Sequence, residues 1–145
     1  ITYKKNKYKK TIVYIYELES NGVTSSLNSL KEGVNILMDK LQNIIKNTDN
    51  EDYFVLELNE NNPKICDMKF INETHTLGNL LSSYLSRHEL IDVVNYIIPH
   101  PLDNKMFVYL QYKDKNSNTI ENSKKVITEK ITSLIKLYDA FIKNF

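Results

Sequence analysis

Two long stretches of this chain carry apolar residues at steps of 3 and 4, and short stretches around them alternate with period 2. In the first, Leu30, Val34, Leu37, Met38, Leu41, Ile44 and Ile45 lie on one stripe. In the second, at the C-terminal end, Ile120, Ile127, Ile131, Leu134, Ile135, Tyr138, Phe141 and Ile142 do the same. Such spacing predicts amphipathic helices that must bury one face. Alternation predicts half-buried strands. The combination constrains the fold class to α+β, an antiparallel sheet with helices packed on one face.

Read in order, residues 1–10 hold five lysines and read as a solvated lead-in. Thr11 to Glu19 alternates, with Ile12, Tyr14, Tyr16 and Leu18 on one face, and stops at the turn signal Ser20-Asn21-Gly22. The first helix follows, with Ser29 and Glu32 fitting a capping box and Thr24 or Ser26 as other candidate caps. A polar cluster, Asn47 to Asn50, ends it and marks a seam. Beyond the seam, Phe54 to Leu58 and Cys66 to Phe70 read as a hairpin around Asn59 to Pro63. A short helix carries Leu77, Leu80, Leu81, Tyr84 and Leu85. Strands around Val93–Ile98 and Lys105–Lys113 precede the last helix, about Thr119 to Lys143. The expected order is β-α, then β-β-α-β-β-α, with domains at 1–49 and 50–145.

Composition narrows the function. The chain has 145 residues and a net charge of +1, with 41% hydrophobic and 26% charged residues, so it can form a core unaided and is no polyelectrolyte. A single cysteine, Cys66, excludes an internal disulfide and a Cys-based zinc site, and suits a reducing compartment. No apolar run approaches the roughly 18 residues that span a bilayer. His75, His88 and His100 match no zinc spacing. With three glycines and no Gly-rich motif, there is no phosphate-cradling loop. Lysine outnumbers arginine 18 to 1, the mark of an AT-rich coding sequence rather than of a chemistry. No acid, base and nucleophile constellation is visible, so no catalytic, cofactor-binding or metal residue is expected. The first residue is not Met, and the chain reads as processed, trimmed or a piece of a longer protein.

One stretch is more specific. Glu73 followed by His75-Thr76-Leu77-Gly78-Asn79-Leu80-Leu81 closely resembles the signature of the small assembly subunit of multisubunit DNA-dependent RNA polymerases, subunit 11 or the archaeal L-type subunit. Tyr96-Ile97-Ile98-Pro99-His100-Pro101 matches that family's tyrosine followed by a Pro-His-Pro turn. This resemblance covers about residues 52–145. A second one covers about 11–47. There Leu18-Glu19-Ser20-Asn21-Gly22 and the following helix look like the end of subunit 3, the archaeal D-type subunit, similar to the bacterial alpha N-terminal domain. Its closing strand reads roughly V-E-S-x-G, and leucine replaces valine here. Two such halves in one chain are similar to fusions in large DNA viruses.

The resemblance implies a non-catalytic platform on which subunit 3-like and subunit 11-like halves pair and recruit two large catalytic subunits. The expected dimerisation residues are Leu30, Val34, Leu37, Met38 and Leu41 with Ile127, Ile131, Leu134, Ile135 and Tyr138. Glu73, His75, Thr76, Leu77, Gly78, Asn79, Leu80, Pro99, His100 and Pro101 are the expected structural motif. In this reading Gly78 permits a close approach, and Thr74, His75 and Thr76 satisfy amides at the helix start. The implied partners are other polymerase subunits; DNA is met only through the complex, with no small-molecule substrate and no membrane. The implied location is intracellular: viral factory or virion in the host cytoplasm if viral, nucleus if cellular. Two other classes compete: a stand-alone module dimerising by its helices, and a small nucleic-acid-binding protein using Lys4, Lys5, Lys7, Lys9 and Lys10 with Tyr3 and Tyr8.

Overall fold

A computed structural model describes residues 2–5, 7–8, 11–48, 52–100, 102 and 104–145. The elements run β1 (Thr2–Lys5), β2 (Thr11–Ile15), α1 (Ser26–Lys46), β3 (Phe54–Leu58), β4 (Ile65–Ile71), α2 (His75–Leu85), β5 (Ile91–Ile97), β6 (Lys105–Tyr112) and α3 (Ile120–Ile142), with a 3-10 turn at Lys115–Ser117.

The main sheet has strand order β3-β4-β6-β5 and is antiparallel throughout. Its register puts one apolar set on one face: Cys66 opposite Leu110, Met68 opposite Val108, Phe70 opposite Met106. All six are fully buried. Against them pack Leu77, Leu81 and Leu85 of α2, Val126, Ile127, Ile131 and Leu134 of α3, and Leu41 and Ile44 of α1. Burying each such side chain contributes about 1.5–3 kcal/mol, so all three helices share one core with the sheet.

Local chemistry sets the boundaries. Ser25 Oγ accepts from the Asn28 amide and caps α1, and Thr119 caps α3 through the Asn122 amide. The expected Ser29–Glu32 capping box does not start the helix, because Ser29 lies within α1; the cap, Ser25, falls between the two other candidates, Thr24 and Ser26. In the β3–β4 turn, Asn59 Oδ1 accepts from the amides of Asn61 and Asn62. Gly22 takes φ +88, a left-handed turn conformation that glycine adopts without strain. Asn118 is buried, and its amide donates to the carbonyls of Pro63 and Ile65 at 3.1 and 2.9 Å. It thereby ties the approach of α3 to the start of β4.

The N-terminal region departs from the sequence reading. Part of the lysine-rich stretch, Thr2–Lys5, is a strand and pairs with β2, Tyr3 opposite Tyr14 and Lys4 opposite Val13. Lys4 and Lys5 are exposed. Neighbouring residues of a strand point to opposite faces, so burial imposes no apolar spacing on this pair of lysines. β2 ends at Ile15, which stands opposite Thr2, rather than at Glu19. Lys9 and Lys10, the seam residues Asp49 and Asn50, and Pro101 lie outside the described residues.

Candidate assembly interface

The connection from β4 to α2 turns the chain inward. Asn72 sits at φ 59, a left-handed position that Asn tolerates better than most residues, and its amide donates to the Asn104 carbonyl at 2.7 Å. The next residue, Glu73, is then buried. Its Oε2 accepts from Lys40 Nζ of α1 at 2.7 Å, and its Oε1 accepts from the Tyr53 hydroxyl at 3.1 Å. Burial pushes the Tyr53 phenol well above its ordinary range, and the Glu73 charge and hydrogen bond push the same way. One carboxylate thus joins α1, the approach to β3 and the start of α2.

Helix α2 begins without a side-chain cap: Thr74 occupies the cap position but makes no such bond. Instead the Thr74 carbonyl accepts from the Leu77 and Gly78 amides, both at 3.1 Å. The expectation that Thr74, His75 and Thr76 satisfy the helix-start amides is corrected on this point for Thr74. His75 meets the ring of Tyr96 on β5 edge-on, centroids 5.8 Å apart. Leu77 and Gly78 are buried, Leu80 is half-buried, and Thr76 and Asn79 are exposed. A Cβ at Gly78 would lie 2.4 Å from Tyr96 Cδ2 and 2.8 Å from Met106 Sδ, so here the missing side chain admits two neighbouring side chains. Just past this same C-terminal end of β5, Pro99 and His100 are exposed, and His100 Nδ1 accepts from the Leu102 amide.

Helix α1 packs along α3. Of the residues expected to dimerise, Leu41, Ile127, Ile131 and Leu134 meet in the core, with Ile135 and Tyr138 half-buried against it. Val34 is buried, but it and Leu30, Leu37 and Met38 stay outside that cluster; Leu30 is exposed. Above them runs a groove of two adjoining depressions of about 320 and 330 Å³ that share Leu37 and Thr76. Tyr138, Asn79, Leu80 and Ser83 line the first; Gly33, Ile36, Lys40, Glu73 and Leu77 line the second.

The polar groups elsewhere serve packing. Tyr112 and Ser123 share a buried hydrogen bond of 2.7 Å between β6 and α3. Burial pushes the Cys66 thiol up to about 11, against a hydrogen bond from Ser123 that lowers it, so the thiolate a nucleophile needs is not populated near neutrality. His88 is buried with Nδ1 accepting from the Leu90 amide. Among the described residues no group of three His, Cys, Asp or Glu side chains is placed to hold a metal ion, and no helix is long and apolar enough to cross a membrane.

Residues 66–144 match the RNA polymerase Rpb3/Rpb11 dimerisation domain. The chain belongs to this family. It is 32% identical over 112 residues to a DNA-directed RNA polymerase subunit of Acanthamoeba polyphaga mimivirus, covering 75% of this chain and 29% of that protein. It is 38% identical over 58 residues to the rpc19 subunit of DNA-directed RNA polymerases I and III of Dictyostelium discoideum, 40% of this chain and 50% of that one. The RPAC2 subunit of Drosophila melanogaster is 43% identical over 42 residues, 29% of this chain and 40% of the relative. The chain therefore spans half or less of the length of these relatives. The family match runs from β4 through α3 and includes Gly78, Tyr96 and Met106; Lys40 and Tyr53 lie before it. Sequence reasoning missed Lys40, Tyr53, Tyr96 and Met106 as partners of the motif. Each meets it through the fold, at separations that no periodicity reveals.

Proposed function

We propose that this chain is a non-catalytic assembly subunit of a multisubunit DNA-directed RNA polymerase. In this proposal residues 1–49 are the closing strand and dimerisation helix of a subunit 3-like half, and 50–145 are a subunit 11-like dimerisation domain. The paired halves recruit the large subunits, where nucleotidyl transfer takes place. The chain's location is then that of its polymerase.

One observation carries the reading: α1 is seated along α3, with Leu41 and Ile44 in the same core as α2 and the sheet. The order of elements supports it. An antiparallel strand pair, a hydroxyl cap and a long helix occur twice, as β1-β2-Ser25-α1 and as β5-β6-Thr119-α3. The groove over Leu37, Thr76 and Leu80 supports it as well, since exposed apolar surface between helices suits a further subunit.

The test is a purification of the tagged chain from its source, with and without charges in that groove. Wild-type chain retains polymerase subunits at moderate salt. Ile36→Glu with Leu80→Glu, at an exposed and a half-buried position, lowers their recovery at least tenfold, while Val93→Glu on the exposed side of β5 leaves recovery unchanged. Equal recovery from all three would reject the groove as the assembly surface. Absence of any polymerase subunit from the wild-type sample would reject the function.

A further inference from the structure

The apolar stripe of α1 does not by itself fix where the helix sits. Leu30, Val34, Leu37, Leu41 and Ile44 recur every three or four residues, so a slide of one turn, about 5.4 Å, replaces each apolar contact with another. The charge at Glu73 does not tolerate that slide. Its side chain is only 4% exposed, and Lys40 reaches it from α1 at 2.7 Å. One turn either way along α1 presents Ile36 or Leu37, or Asn43 or Ile44, none of them cationic. The other lysines of α1, Lys31 and Lys46, lie about 180° and 120° around the helix from Lys40 at 3.6 residues per turn. A displaced α1 therefore leaves a buried carboxylate without a cation, which is strongly unfavourable. The receiving side is rigid: Asn72 is anchored to Asn104, and Tyr53 donates to the second carboxylate oxygen.

We propose that Lys40, Glu73 and Tyr53 form a register lock that sets the axial position of α1 on the unit formed by residues 52–145. The lock chooses one of several arrangements with similar apolar burial, the role best attested for a polar group inside a helix interface. It rests on contacts within this chain and stands independently of the polymerase assignment.

The test measures the position of α1 directly. Spin labels are placed on cysteines at Glu32 of α1 and Lys136 of α3, both exposed, while Cys66 is buried and stays unlabelled. Pulsed dipolar spectroscopy of the otherwise unaltered chain gives one distance. An apolar replacement of the whole cluster, Lys40→Met with Glu73→Met and Tyr53→Phe, removes the lock without stranding a charge. It is expected to broaden the distribution or add a component displaced by up to about 5 Å, one helical turn. A second variant, Ile36→Lys with Lys40→Ile, keeps the cation but moves it by one turn, and the main distance should move with it. If either variant folds by circular dichroism and gives only the original distance, the lock is refuted and the apolar contacts alone set the register.

Discussion

Two helical glycines should respond to the same substitution with opposite signs. At Gly33 in α1 an added Cβ meets nothing within 4 Å. Gly33→Ala therefore gains helix propensity alone, about 0.8–1 kcal/mol. At Gly78 in α2 the methyl would sit 2.4 Å from Tyr96 Cδ2 and 2.8 Å from both Tyr96 Cε2 and Met106 Sδ. Carbon contacts settle near 3.5–4.0 Å, so the neighbours must retreat by about an ångström. Neither is free to do so: Met106 is fully buried, and the Tyr96 ring is braced by His75. Overpacking of this kind costs about 1–3 kcal/mol, which offsets the propensity gain of about 1 kcal/mol and leaves Gly78→Ala up to about 2 kcal/mol less stable. At about 2–4 °C per kcal/mol for a chain near this size, Gly33→Ala raises the Tm by a few degrees and Gly78→Ala lowers it by up to about 8 °C. Thermal and urea unfolding followed by far-UV circular dichroism reads both. A Gly78→Ala chain as stable as Gly33→Ala would refute the close approach of Tyr96 and Met106.

Asn118→Ala removes both bonds from the approach of α3 to Pro63 and Ile65, and urea unfolding should show a loss of about 1–3 kcal/mol. Ser123→Ala leaves the buried Tyr112 hydroxyl unpaired and should cost a similar 1–3 kcal/mol by the same measurement; no change would mean that Tyr112 finds another partner. Cys66 should resist alkylation by iodoacetamide at pH 8 in the folded chain and react fully in urea, because burial holds its thiol neutral up to about 11. The same burial sets a pH dependence. A group ionising near 9.0 unfolded and about 11 folded contributes stability that is whole below pH 9 and is lost as pH rises through 11. Tyr53 and Tyr112 are shifted upward too, so they push the same way. The midpoint of urea unfolding should therefore fall between pH 9 and 11, and a rising midpoint would contradict these environments.

Much of the fold was legible because burial imposes a period. The main-sheet strands, α2 and α3 fall within a few residues of the expected positions, since each has one face in the core and its apolar spacing reports that face. β1 was not legible, because its neighbouring residues Lys4 and Lys5 are both exposed and report no buried face. The helix caps were partly legible: Thr119 was expected as the start of the last helix and caps it through its side chain, whereas Ser25 was bracketed and Thr74 holds its place through its backbone alone. In the candidate site, Gly78 stood out as a glycine near the start of a helix, but the atoms that need its missing Cβ belong to residues 96 and 106. Glu73 stood out as an acidic approach to α2, and its cation is Lys40, 33 residues away. Spacing along the chain identifies faces; it does not identify which faces meet.

The proposed function requires that this chain assemble into an RNA polymerase. The most direct measurement is native mass spectrometry of everything that co-elutes with the tagged chain from its source at moderate salt, since extensive buried subunit interfaces survive such conditions. The expected result is a defined complex that holds one copy of this chain with two much larger polypeptides and makes RNA on a DNA template. Recovery of the chain alone, or only with further copies of itself, would contradict it.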